Sequence, residues 1–497
     1  MADGAAASPR HAPLPGWLRF AYSLGSAPDA MINIAFNVFL LYYLTSICGL
    51  SPGLAGFAVA AGLVVDAFLD PWIGMRSDHC RSRWGRRLPF MVGATPVMVA
   101  GLATLFSLPR AEDPWILFVV VLLLCITIRI SISCFVLPFL AVGAELSDDD
   151  AERSRIIAWR WAMATILALA TVLLGFGVFF KGDHGIADAA DYPRFALALG
   201  ALILAMAACA SFAVYRTLDR QYPPPDHDAR SFGELLLELR QLLRSPTFRT
   251  IFLGCMLSST GQSATQALSL HVYTFYWSLG GDQTQMPIVA LMIGLILGAP
   301  LGAVMTRRLE HRTTILLGVV GLMVAQGVLP TLKLCGLLSL TGGALTAILS
   351  GAQLLAGMMT TVAMLALFAM ATEAIDEHEH GYGVRIEALY FAGLILAGKA
   401  ANGLGAFLSG AALQIIDFPT DAVGAGAAVA IPEQTTRLLG VVVGPGTAVL
   451  MAVTLVVLWR YPLDRRRHAA IMADLEKRKG RERDDEQSRE PSSLATA

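Results

Sequence analysis

The chain has 497 residues, 55% of them hydrophobic and only 15% charged, with a mean hydropathy of +0.60 and a net charge of −1. A soluble chain of this length would divide into several domains with charged surfaces, so the composition excludes that class. The net charge says nothing about partners, because the signs are segregated along the chain, and nothing points to nucleic acid.

Met1 to Gly16 lacks a compact apolar core with a cleavage site, so a removable signal peptide is not expected. Apolar runs then predict twelve spans, at 17–47, 54–77, 89–108, 114–143, 155–180, 194–216, 249–278, 286–305, 313–333, 337–371, 384–416 and 438–460. The tenth is the least regular. The pattern reads as a cytoplasmic tail (1–16), a six-helix bundle (17–216), a linker (217–248), a second six-helix bundle (249–460) and a charged tail (461–497), solvated and partly helical. The linker holds Pro223-Pro-Pro225 and then Ser231–Arg240, which reads as a short amphipathic helix on the inner membrane surface.

Seventeen Arg or Lys residues, among them Arg76, Arg81, Arg83, Arg86, Arg87 and Arg385, fall in the even-to-odd loops and linker, against five (Arg110, Lys181, Arg194, Lys333, Arg437) in the opposite loops. This bias predicts both termini in the cytoplasm. The basic turn Gly74–Arg87 after the second span is echoed by Gly302–Arg312 after the eighth. That echo points to a duplicated six-helix unit, although any tight inner loop also collects arginines. The seven cysteines form no C-x-x-C pair and read as small buried hydrophobes.

Charges inside spans are costly and mark function or pairing. Asp29, Asp66, Asp70, Arg129, Arg160 and Lys399 are such positions. Asp66 and Asp70, spaced i,i+4, put two carboxylates on one helix face. They read as a site for Na+, Li+ or H+, or as half of a fixed salt-bridge network with Arg129 or Arg160, or as cavity lining. Lys399 is one of five lysines and the one deep within a span, among Gly398, Ala400, Ala401 and Gly403. It could neutralise the acids when the cation leaves, or bind an anionic substrate group.

Asp29, Asn33 and Asn37 line one face of the first span, and Ser259, Gln262, Ser263 and Gln266 do so in the seventh. These stripes suit either a polar cavity or interhelical bonding. His271 reads as structural. Arg76, Asp78, Arg86 and Arg87 read as a cytoplasmic gate of breakable ion pairs. His378 and His380, among Glu373, Asp376, Glu377 and Glu379, read as part of a solvated loop after the tenth span, not as a metal cluster. No enzymatic constellation and no cofactor is expected.

Tyr22-Ser-Leu-Gly25, Leu41–Thr45, Gly49–Gly56, Asp66-Ala-Phe-Leu-Asp-Pro-Trp-Ile-Gly74, Ser82-Arg-Trp-Gly-Arg-Arg-Leu-Pro89, Pro138–Leu146, Glu152-Arg153, Gly383-Val-Arg385, Glu387 and the Lys399 stretch resemble the glycoside–pentoside–hexuronide:cation symporter family of the major facilitator superfamily. The resemblance implies an all-helical, two-halved fold of twelve spans in the cell (inner) membrane, acting as a monomer by alternating access. It implies a cation site at Asp66 and Asp70 with Lys399 beside it, and Arg160 bordering the sugar. The chain departs from the melibiose permease pattern in carrying Val136 for an acid, Leu140 for a tryptophan and Ala30 for the sugar-binding aspartate. Cation-coupled uptake of a sugar, glycoside or uronide is the leading expectation. Transport of a lysophospholipid-like solute and a non-transporting sensor are the alternatives.

Overall fold

A computed structural model describes residues 14–110, 113–147, 149–181, 185–220, 240–420 and 431–489, with positions 233 and 237. The expected amphipathic linker helix at 231–240 falls largely outside the described residues. What is described is helical throughout. α1 runs through Gly16–Ser23, Leu24–Ser26, Ala27–Ile34, Ala35–Leu40 and Tyr43–Ile47. There follow α2 (Pro52–Asp78), α3 (Leu88–Leu105), α4 (Pro114–Glu145), α5 (Asp150–Phe179) and α6 (Asp191–Tyr215). α7 comprises Pro246–His271 and Val272–Tyr276. α8 (Gly281–Arg308), α9 (His311–Leu334), α10 (Gly342–Tyr382), α11 (Glu387–Ile415), α12 (Glu433–Trp459) and α13 (Arg465–Arg489) complete the chain.

Among the described residues ten helices are long and apolar enough to cross a membrane. α1 and α7 are not among the ten. α1 is broken by 3-10 and π turns into segments of eight residues or fewer, and the midsection of α7 carries Ser259, Gln262 and Gln266, which lower its hydropathy.

Local chemistry sets the ends. Asp113 caps α4 by accepting from the Trp115 N–H at 2.8 Å, with Pro114 as the first helical residue. Asp149 caps α5 in the same way through Ala151. α10 stops at Gly383, whose φ of +72° is the left-handed cap that a residue with a Cβ adopts only at a cost. Pro71, inside α2, has no N–H, so the Ala67 carbonyl loses its usual donor beside Asp70.

α1 to α6 pack against one another, as do α7 to α12, and the two sets meet through α2–α11, α1–α7 and α5–α8. α2 and α11 come closest at glycines. A Cβ on Gly56 would lie 2.7 Å from the Ala406 carbonyl oxygen, and one on Gly410 would strike the Pro52 carbonyl. The core of the first set is aromatic: Phe39, Phe176, Phe180, Phe195, Tyr43 and Tyr192 stack at ring distances of 4.7–5.4 Å. Large apolar side chains such as Trp115, Leu123, Trp161 and Val178 point outward, as lipid-facing positions do.

Two expectations need correction. The His378–His380 segment is not a loop, because α10 continues as helix to Tyr382. Its acids are engaged: Glu373 by His311 and Tyr461, Asp376 by His468 and Arg385, Glu377 by Thr247 and Arg467, and Glu379 by Arg385. The charged tail is not simply solvated either. α13 lies along α10, burying Ile471 and Leu475 and pairing Arg467 and His468 with the α10 acids. Both misreadings have one cause: partners far apart in sequence cover charges that are solvent-facing in a linear reading.

Candidate functional site

α2 carries Asp66 and Asp70 on the face turned to α11, and Lys399 of α11 reaches both. Its Nζ donates to Asp66 Oδ2 at 2.7 Å and also bonds Asp70 Oδ2. Ser133 of α4 donates its hydroxyl to Asp66 Oδ1. Asp66 is 5% exposed, whereas Asp70 and the lysine retain partial access. Asp70 Oδ1 is buried and is left without a hydrogen-bond partner among the described residues. The orphan oxygen lies beside an ammonium that already serves both acids, so a further monovalent cation or proton has an acceptor here.

A second group joins this one. The Asn33 amide donates to Asp29 Oδ1 at 2.6 Å, and Arg129 Nη1 donates to Asn33 Oδ1 at 3.0 Å, with its guanidinium 4.9 Å from the Phe36 ring centre. Arg129 interacts electrostatically with Asp29 and Asp66, and Asp29 in turn with Lys399. Three acids (Asp29, Asp66, Asp70) thus face two bases (Arg129, Lys399), which leaves one formal negative charge over. Arg160 stands apart on α5, beside the Tyr22 hydroxyl, while its backbone carbonyl accepts from Ser26. The acids therefore pair with the distant Lys399, and Arg129 reaches them only through Asn33 and at longer range.

Gln262 and Gln266 occupy a different wall, a cavity of about 180 Å³ among α7, α8, α9 and α10. Gln262 accepts from Thr360 at 3.1 Å.

At the basic turn, Arg87 Nη2 bonds Asp78 at 3.0 Å and Glu145 at 2.9 Å, and Arg86 also bonds Glu145. Arg76 is exposed and has no ion pair among the described residues. Arg385 forms the counterpart in the second set, where the Glu379 and Glu387 carboxylates hold its guanidinium above the usual range. These pairs join residues within one set of helices. Apart from the Lys399 bonds to Asp66 and Asp70, these bonds between the sets lie at the other end: Thr45 Oγ1 to His271 Nε2 at 2.9 Å, Gly53 N–H to Gln414 at 3.3 Å, and Arg110 to the Thr420 carbonyl at 3.4 Å. His271 is fully buried at this seam.

Sequence reasoning missed Ser133, Glu145, Gln326 and Gln353. Ser133 is one turn from Arg129 on the same helix face, a usable signal. Glu145 falls in the Pro138–Leu146 stretch that carries part of the family resemblance, but its role as a shared acceptor needs the fold.

The sequence profile of the family described as MFS/sugar transport protein matches residues 21–465. The glucuronide carrier protein homolog of Escherichia coli (strain K12) is 23% identical over 92% of this chain and 95% of its own length. An uncharacterized symporter of Synechocystis is 33% identical over 164 residues, 31% of this chain and 30% of that protein, so this match spans less than a third of the relative. Among solved structures, a bacterial homolog of the human lysosomal transporter Spinster, in an inward-facing and unoccupied conformation, superposes with a TM-score of 0.61 over 90% of this chain and 98% of that one, at 13% identity. That likeness concerns the fold alone.

Proposed function

The chain belongs to the MFS/sugar transport protein family, and from that premise we propose that it is a secondary active transporter carrying a sugar, glycoside or uronide in symport with Na+, Li+ or H+. The observation that carries the reading is the unequal charge count, three acids against two bases with one orphan carboxylate oxygen. A buried site with one negative charge over favours binding of a single monovalent cation or proton.

The proposed architecture has α1 and α7 as the eleventh and twelfth membrane-crossing helices, giving six-helix halves at 17–216 and 249–460. The linker 217–248 joins them, and the tails 1–16 and 461–497 flank them. The arginine bias puts both termini in the cytoplasm of a cell whose inner membrane holds the protein, which acts as a monomer. In that orientation the bonded seam of Thr45, His271, Gly56 and Gly410 faces outward, and the conformation is inward-open.

Alternating access then works through Lys399. With the cation gone, the ammonium bridges both carboxylates and the cluster keeps one formal negative charge. A cation arriving from outside takes the Asp66 and Asp70 oxygens and frees Lys399, and substrate completes the occluded state. Ser133 keeps Asp66 oriented in both states. Asp78, Arg86, Arg87 and Glu145 close the cytoplasmic side, and Arg129, Asn33, Asp29 and Arg160 line the substrate path.

The test is uptake into proteoliposomes under imposed sodium, lithium or proton gradients. Asp66→Asn and Asp70→Asn should each abolish gradient-driven accumulation while leaving exchange across the bilayer measurable. Accumulation that survives both substitutions would remove the ion site from α2.

A further inference from the structure

Among α7, α8, α9 and α10 lies the cavity of about 180 Å³, whose wall bears four glutamines: Gln262 and Gln266 on α7, Gln326 on α9 and Gln353 on α10. Its lining includes no acidic, basic or imidazole side chain among the described residues. We propose that this cavity is the site for the uncharged, hydroxyl-bearing ring of the cargo, separate from the charged cluster on α1, α2, α4 and α11. The proposal rests on the reading that the protein transports a solute.

An amide in the middle of a bilayer is costly unless its two donors and its acceptor are used. Bonding between helices accounts for only part of this set. Thr360 and Thr265 contact the carbonyl oxygens of Gln262 and Gln326 at 3.1 and 3.3 Å, and Gln353 meets the Tyr273 hydroxyl. No acceptor for the NH2 groups of Gln262, Gln266 and Gln326 is found among the described residues. Ser269, also in the wall, has a buried hydroxyl oxygen with no partner there. Helices held together by amide bonds alone would pair these groups with one another, and they do not.

The volume holds roughly six waters at about 30 Å³ each, the scale of one sugar ring. Neutral amides that both donate and accept suit hydroxyl groups, which do the same. A carboxylate or phosphate would find no counter-charge. The Met292, Leu291 and Leu295 side chains supply an apolar wall against which the C–H face of such a ring can lie. Val38 of α1 completes the lining, so the cavity opens on the seam between the two sets of helices and its size depends on how they tilt.

The experiment is thermal-shift titration of the purified full-length protein with methyl β-D-glucopyranoside, methyl β-D-xylopyranoside, D-glucuronate and lysophosphatidylcholine. Wild type, Gln326→Leu, Gln353→Asn and Asp66→Asn are compared. A neutral methyl glycoside should stabilise the wild type, and Gln326→Leu should weaken that binding about tenfold by removing a hydrogen-bonding amide of similar shape. Gln353→Asn shortens an amide without removing it and should weaken binding less, while Asp66→Asn should remove the dependence of the glycoside response on cation. Stabilisation by none of the glycosides, or by lysophosphatidylcholine alone, overturns the proposal. So does unchanged affinity in both glutamine variants. A glycoside response that keeps its cation dependence in Asp66→Asn counts against the ion site and not against the glutamine cavity, so failure of one reading is distinguishable from failure of the other.

Discussion

Replacing Lys399 with methionine removes the ammonium and keeps most of the side-chain volume. The two carboxylates it bridges lie one helical turn apart, about 6 Å between Cβ atoms. At an effective dielectric of about 20 their repulsion is about 3 kcal/mol. Removing one partner from a buried ion cluster costs about 3–5 kcal/mol, and the 27% exposure of Lys399 and 18% of Asp70 put the expectation at the low end, about 3 kcal/mol. The variant should therefore melt well below the wild type in choline buffer at alkaline pH. Sodium, lithium or protons, whichever the site holds, should restore it, by about 2.7 kcal/mol at a hundredfold excess over Kd. In the wild type the same additions compete with the bound ammonium and should shift melting less. Differential scanning fluorimetry across ion and pH conditions reads this directly. A variant that melts like the wild type and responds to no cation or proton would refute the argument that Lys399 stands in for the coupling ion. The triple variant Asp66→Asn, Asp70→Asn, Lys399→Met should be stable and unresponsive, because no charge is left unpaired.

Gly410→Val places a side chain against the Pro52 carbonyl and Gly56, so the seam between α2 and α11 cannot close. Transport should fall by at least tenfold, and Cys48, buried in the structure, should react faster with a membrane-impermeant maleimide added from outside, as peptide mass spectrometry would show. Unchanged labelling would mean that this contact does not hold the outer side shut. Glu145→Gln removes the acceptor shared by Arg86 and Arg87, which are 7% and 5% exposed. Loss of the shared carboxylate, with Asp78 still on Arg87, should cost about 3 kcal/mol and slow uptake, whereas Arg76→Ala, at an exposed position, should leave melting within about 0.5 kcal/mol.

The spans were legible because a bilayer imposes a simple rule: backbone polar groups must bond within the helix, so apolar length alone reveals the helices. The predicted run at 17–47 matches α1 at both ends, and 114–143 matches α4 to within two residues. The tenth run ended too early, at 371, because the acids from Glu373 onward end the apolar pattern while the helix continues to Tyr382. Helix formation needs only local hydrogen bonds, and those acids are held by α7, α9, α13, Arg385 and Tyr461. The tail was misread for the same reason, since its apolar positions, Ile471 and Leu475, matter only once α10 lies beneath them.

Within the site, the identity of the costly residues was visible. The residues alone left Lys399, Arg129 or Arg160 open as partners of the α2 acids, and only the resemblance put Lys399 beside them, where the structure has it. Any charge buried in a span is conspicuous, so Asp29, Asp66, Asp70, Arg129 and Lys399 stood out singly. Which base meets which acid depends on helix packing across 333 positions between Asp66 and Lys399, and sequence distance carries no information about that. The amides of Gln326 and Gln353 were invisible for a related reason: one glutamine in a span is ordinary, and only the fold brings four to one cavity. Sequence by itself thus determined the transmembrane class and the places where polar groups would be expensive. Tertiary structure decided how each expense is met, because a bond between helices is set by geometry that no local pattern records.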